Sequence, residues 1–253
     1  MDIMKKIGII GGSGLDDPNI VESPKELTID TPYGKTSSPI KQGKIGGEDV
    51  FLLARHGRDH SISPTNVNFR ANIWALKEVG CLFILASTAV GSLREEIEPG
   101  HIVLPNQFID FTKHRDSSFF DNNEVVHTSM ADPFCKDMIE VISDVATKLN
   151  ITSHKNKTII TIEGPRFSTK SESHMFRLWG ADIINMSTCP EAALARELGL
   201  HYASIAMSTD YDCWKEGEET VSWELIQKIM NDNSSNVLSI FRNTIPKLKN
   251  INI

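Results

Sequence analysis

Cysteine is scarce in this 253-residue chain, and the four present, Cys81, Cys135, Cys189 and Cys213, are far apart with no C-x-x-C pair. That spacing argues against a zinc knuckle, a thiol redox pair or a disulfide scaffold, and it fits a reducing, cytoplasmic setting. Positive charge is short as well. A net charge of −7 leaves no broad basic surface for nucleic acid or acidic lipid, so any bound anion must be held by local geometry. No apolar run approaches the roughly 20 residues that span a bilayer. The opening Met1-Asp2-Ile3-Met4-Lys5-Lys6 lacks the apolar core and small-residue cleavage site of a secretory signal. The nucleotide-binding fingerprints are missing too. Three residues after Gly14 stands Asp17 rather than Gly or Ala, which disfavours a nicotinamide dehydrogenase, and no Walker pattern with Lys-Ser/Thr is present either. There is no internal repeat, low-complexity tract or linker, so one domain over 1–253 is expected, with 40% hydrophobic residues to build its core.

What is present is a series of apolar runs, at 6–10, 50–54, 81–86, 101–104, 158–162, 182–186 and 201–207, several of them continuous as in strands buried on both faces. Helical spacing lies between them. The segment 67–79 carries Phe69, Ile73 and Leu76 and stops at Gly80. Thr169 with Glu172 and Thr188 with Glu191 read as capping boxes opening helices that end at Gly180 and Gly199. A last helix over 222–244 is expected to bury Leu225, Ile226, Ile229, Val237, Ile240 and Phe241. The polar, irregular loop 116–123 is expected to be mobile or at a subunit contact. Alternating strands and helices predict an α/β fold.

Six polar or glycine-rich stretches each follow one of these runs. They begin at Gly11, Arg55, Ser87, Glu163, Asn185 and Thr209. In an open α/β sheet the ligand lies beyond the carboxyl ends of the strands, so all six converge on one crevice. Gly11-Gly12-Ser13-Gly14 can form a hollow of N–H groups for phosphate oxygens, or an ordinary turn. Arg55 offers a planar fork of donors and His56 another, unless the two are a surface pair. Thr88 and Ala89 lie among small residues that let backbone N–H groups approach a ligand, or that pack tightly under a helix. Ser187 precedes a helix, where it suits an anion, a cap or both. Phe167, outside any helical stripe, suits stacking on a planar base or anchoring the next helix. Asp210 and Asp212 could be an acid/base pair, a metal site or a solvated turn. Metal is disfavoured because no His or third carboxylate has ligand-like spacing, and apolar flanks favour burial over a solvated turn. A buried carboxyl has a raised pKa and can donate a proton.

Taken together, the stretches 7–14, 54–57, 163–168 and 185–188 resemble the trimeric purine nucleoside phosphorylases. Ser208-Thr209-Asp210-Tyr211-Asp212-Cys213-Trp214 and the segment 69–78 resemble the branch of that family acting on 5′-methylthioadenosine. The resemblance runs from about residue 7 to 246. It implies a mixed, partly barrel-like sheet flanked by helices, a homotrimer or dimer of trimers, no metal and no organic cofactor. It also implies phosphorolysis, with inorganic phosphate as co-substrate. By matching position, phosphate lies among Ser13, Arg55, His56, Thr88, Ala89 and Ser187. Phe167 flanks the purine, Met186 packs on the ribose, Asp210 faces N7, and Asp212 reads the 6-position with Tyr211 carrying the backbone between them. Ser168, Trp223, Ile226 and Gln227, with His127 from a neighbour, bear on specificity at the 5′ end. The chain departs from that branch at Ser187, where Thr is common, and at Gln227, where an apolar residue is common. The competing activities are phosphorolysis of adenosine or other purine nucleosides, nucleoside hydrolysis, and sensing without turnover.

Overall fold

The computed structural model describes residues 5–11, 21–120, 124–218 and 222–251. Its frame is one nine-stranded mixed sheet. The strands are β1 (Lys6–Gly11), β2 (Glu22–Leu27), β3 (Ile40–Ile45), β4 (Glu48–Ala54), β5 (Cys81–Ser92), β6 (Ile102–Phe111), β7 (Ser153–Ile162), β8 (Ile183–Asn185) and β9 (His201–Asp210). In space they run β2-β3-β4-β1-β5-β8-β7-β6-β9, and β5 also pairs with β9. That extra pairing closes the five strands from β5 to β9 into a barrel, with β1 to β4 as an open wing. Parallel pairing of β1 with β4 and β5 brings their carboxyl ends to one edge. The central strands are buried because both of their faces are covered, which is why they read as continuous apolar runs.

Helices α1 (Phe69–Glu78), α2 (Lys136–Lys148), α3 (Lys170–Leu178), α4 (Thr188–Glu197) and α5 (Trp223–Leu248) cover the sheet. Thr169 and Glu172 form the expected reciprocal capping box on α3. The box expected at Thr188 and Glu191 does not form. Ser187 holds the N-cap position of α4 without a side-chain cap bond, Cys189 departs from helical dihedrals, and Glu191 is turned inward. α5 runs four residues beyond the expected end and encloses Pro246. Met230 belongs to its buried face, whereas Leu225 and Ile229 are only half-buried.

Three elements had not been expected. β2, Glu-Ser-Pro-Lys-Glu-Leu, is an exposed edge strand whose charges and proline guard its open side and also erase any apolar signal. β3 is interrupted by polar residues and by Gly43, where a Cβ would come within 2.6 Å of the Glu22 carbonyl oxygen. α2 buries Met138, Ile139, Ile142, Val145 and Ala146, a helical stripe that was present in the sequence. Residues 116–120 of the polar loop are tied down. Asp116 pairs with Arg70, and the N–H of buried Phe119 donates to Glu197.

Candidate active site

Strands β5, β6, β7 and β9 are longer than their apolar cores. Ser87-Thr88-Ala89 is therefore not a turn but the interior of β5, and Thr209 and Asp210 end β9. Residues of β5, β7, β8 and β9, of α5 and of the loops after β4, β7, β8 and β9 line a cleft of about 550 Å³. Arg55, His56, Thr88, Ala89 and Ser187 lie in it together. So do Phe167, Ser168, Met186, Asp210 and Asp212, and so do Trp223, Ile226 and Gln227. Ser13 lies outside the described residues. Tyr211 turns its side chain away, stacking edge-on to Trp214 with its hydroxyl donating to the Glu95 carbonyl. His127 is exposed and is not among the cleft residues.

At one wall of the cleft Arg55 is buried, with 1% of its surface exposed, although it follows a strand end. Its fork is bidentate to Glu191: Nε donates to Oε2 at 2.7 Å and Nη2 to Oε1 at 2.8 Å. Nη1 donates to the Ser87 carbonyl at 2.9 Å, and the Tyr202 hydroxyl donates to Glu191 Oε1 at 2.7 Å. A buried guanidinium without such a partner would be prohibitively costly, so Glu191 and Tyr202 fix its plane. The polarity there is set by a cation, by His56 and by the hydroxyls of Thr88 and Ser187, whose oxygens lie 3.0 Å apart. His56 Nδ1 is 2.9 Å from the Ile62 carbonyl, which orients the ring with Nδ1 as the donor.

Carboxyls define a second part of the cleft. Asp210 Oδ2 accepts from the Thr209 hydroxyl at 2.8 Å, and Oδ1 accepts from the Asp212 N–H at 2.7 Å. Burial is the larger effect and pushes the Asp210 carboxyl up to about 6, against the pull of those two bonds. Asp212, also raised by burial, accepts from Ser168 at 3.2 Å. Gly91 forms the floor: a Cβ there would lie 3.1 Å from Asp210 Oδ1 and 3.3 Å from Asp212 Cβ. Phe167, 39% exposed, projects from the loop after β7 rather than anchoring the core. That loop turns at Gly164, whose φ is +69°, and a Cβ there would meet Met186 Sδ at 2.5 Å. Its preceding Glu163 is anchored. Although burial raises its pKa, the Thr65 hydroxyl, the N–H groups of Lys113 and His114 and the Arg115 guanidinium hold it down to about 2.

At the third side, Trp223 stacks on His60 at 5.1 Å between ring centroids, and His60 on His56 at 4.7 Å. Glu191, Tyr202, His60, Gly91 and Asn185 had escaped sequence reasoning. Glu191 sat in a helix-capping pattern and Tyr202 inside an apolar strand, so neither carried a signal of its own.

Hydrogen-bond donors from Arg55, His56, Thr88 and Ser187 in one cleft with a buried carboxyl pair are an arrangement that binds an anion beside a base. The chain matches the phosphorylase superfamily over residues 6–246. It is 56% identical over 249 residues to the S-methyl-5′-thioadenosine phosphorylase of Xenopus tropicalis, covering 96% of this chain and 89% of that one. The adenine complex of methylthioadenosine phosphorylase from Schistosoma mansoni superposes with a TM-score of 0.94 at 38% identity, over 98% of this chain and 93% of that one. A point variant of that organism's adenosine/methylthioadenosine phosphorylase, in complex with methylthioadenosine, gives 0.92 at 37% identity, over 98% and 93%. With this fold, this cleft and these likenesses, the chain belongs to the phosphorylase superfamily.

Proposed function

We propose that the protein catalyses phosphorolysis of 5′-methylthioadenosine to adenine and 5-methylthioribose 1-phosphate, a salvage reaction. One observation carries the reading: Asp210 and Asp212 line a single cleft together with Arg55, Thr88 and Ser187. A phosphate dianion held by these donors attacks C1′ of the nucleoside. The C1′–N9 bond breaks as the C1′–O bond forms, and its electron pair passes to the purine. Asp210, whose carboxyl burial lifts to about 6, gives its proton to N7 from its protonated form and neutralises the leaving base. Asp212 accepts from the 6-amino group. A 6-oxopurine would set oxygen against oxygen there, so the pair favours 6-aminopurines. Phosphate is a co-substrate, and no cofactor takes part. Among the described residues no group of three His, Cys, Asp or Glu side chains could hold a metal ion.

Adenosine is the second reading, because exposed Gln227 lines the cleft beside Trp223 and Ile226 and offers a polar partner to a 5′-hydroxyl. The Schistosoma relative is named for both nucleosides. We further infer a homotrimer, or a dimer of trimers, in the cytoplasm. The exposed apolar side chains Val125 and Val126 beside His127 support such an assembly, and the four free cysteines support the compartment. The decisive assay measures base release from methylthioadenosine, adenosine and inosine, with and without phosphate. Expected is phosphate-dependent adenine release from methylthioadenosine and only weak activity on inosine. Equal rates in phosphate-free buffer would exclude a phosphorylase.

A further inference from the structure

Asn185 ends β8 directly beside Thr161 of β7, its register partner, and both are buried. No ligand role follows from either residue alone. Their hydrogen bonds carry the argument. The Cys189 backbone N–H, which can only donate, reaches Thr161 Oγ1 at 3.2 Å. The Thr161 hydroxyl lies 2.9 Å from Asn185 Oδ1 and can donate to it. A second backbone donor, the Thr188 N–H, approaches the same Oδ1 at 3.5 Å. The amide atom facing those donors has to be its oxygen, and this settles which way the side chain lies.

The amide nitrogen then faces the cleft side. Asn185 Nδ2 lies 3.1 Å from Thr88 Oγ1, 3.3 Å from Ser187 Oγ and 2.8 Å from Thr188 Oγ1. It can only donate: of its two protons one goes to the nearer Thr188 Oγ1 and the other is shared between the two hydroxyls that line the anion wall, on which it occupies lone pairs. Those hydroxyls are 3.0 Å apart and hold two protons between them, of which one fits in the gap. The Ala89 carbonyl, 3.1 Å from Thr88 Oγ1, can take the other. A charged acceptor outcompetes a neutral carbonyl for that proton.

We propose that Asn185 is a positioning residue that forces the Thr88–Ser187 pair to act as a net proton donor toward the cleft. The pair is thereby matched to an oxyanion that only accepts, the dianion of the phosphorolysis reading on which this inference rests. Thr161 acts one step further back, by fixing the amide's orientation.

Asn185→Asp is the sharpest test, because it keeps the shape and reverses the polarity: a carboxylate would claim both hydroxyl protons and add a repelling charge. Expected is a rise in the phosphate KM of at least tenfold, with the nucleoside KM within twofold of the parent and kcat at saturating phosphate reduced much less than kcat/KM for phosphate. Thr161→Val keeps the amide and removes its orienting donor together with the acceptor of the Cys189 N–H, and it should raise the phosphate KM severalfold. It also serves as the second variant should the Asp form fold poorly. Thermal shifts distinguish polarity from damage. Inorganic phosphate should no longer stabilise the Asp variant, while adenine still does. A phosphate KM within twofold of the parent in both variants, or joint loss of both ligands' stabilisation, overturns the proposal. Parent turnover without phosphate is a separate result and removes the phosphorolysis reading itself.

Discussion

Asp210 shows how one residue acquires a function from its surroundings. An aspartate in water is ionised at neutral pH, and this one is lifted to about 6 by loss of water, with two hydrogen bonds opposing the shift. Folding thus favours its protonated form. The associated stability is full below the ordinary carboxylate range and is lost as pH rises through about 6. The same shift shapes catalysis. The ratio of kcat/KM between the parent and Asp210→Asn, measured on one 6-aminopurine nucleoside, should fall as pH rises through about 6. Titration of phosphate itself cancels in that ratio. Asn cannot protonate N7 but can donate to a 6-oxygen, so the variant's preference for inosine over adenosine should also rise by about tenfold or more. A ratio independent of pH would remove Asp210 from the base's contacts. The paired acids were legible in the sequence because carboxyls between apolar residues are conspicuous. Glu191 was not, since its spacing from Thr188 matches a capping box, and only the tertiary fold reveals that its partner is Arg55, 136 residues away.

Among the elements, the strands with continuous apolar cores were readable, and their ends were not. β5 was expected to stop at Ala86, yet it continues to Ser92 because β9 supplies a parallel partner through that polar stretch. Pairing of that kind is a tertiary fact with no local signature. Edge strand β2 was invisible for the converse reason, its composition being set by exposure. α5 was legible, and its first turn matters most. Trp223, Ile226 and Gln227 line the cleft together, as spacing by three and four residues requires. Gln227→Leu should shift selectivity toward methylthioadenosine over adenosine by about 1–3 kcal/mol in relative transition-state binding, because the amide can satisfy a 5′-hydroxyl but not a thioether. The ratio of kcat/KM for the two nucleosides measures it. A change below about twofold would mean that Trp223 and Ile226 alone form the 5′ wall.

For the whole molecule, assembly is the open quantity that the surface addresses most directly. Val125 is 79% exposed two residues from His127, the side chain that the family resemblance assigns to a neighbour's 5′ pocket. In the proposed trimer an apolar residue so exposed would be buried against a second copy. Val125→Asp should shift the sedimentation distribution toward monomer and raise the nucleoside KM, with the phosphate KM little changed. If the parent protein sediments as a monomer, the proposed trimer falls.

The length of β5 has one further consequence. Thr88 stands at the anion wall and Gly91 beneath the carboxyls, three residues apart on one strand that β9 pairs throughout this stretch and β8 joins at Gly91. At about 3.3 Å per residue, the strand works as a gauge block of roughly 10 Å. A substrate cannot stretch or shorten the interval between its nucleophile and its base without breaking sheet pairing. Tolerance is thus confined to the direction leading off the strand, toward α5 and the His60 loop. Divergence in what this site accepts should accordingly collect at the sugar's far end, while the span between phosphate and purine stays calibrated by the sheet.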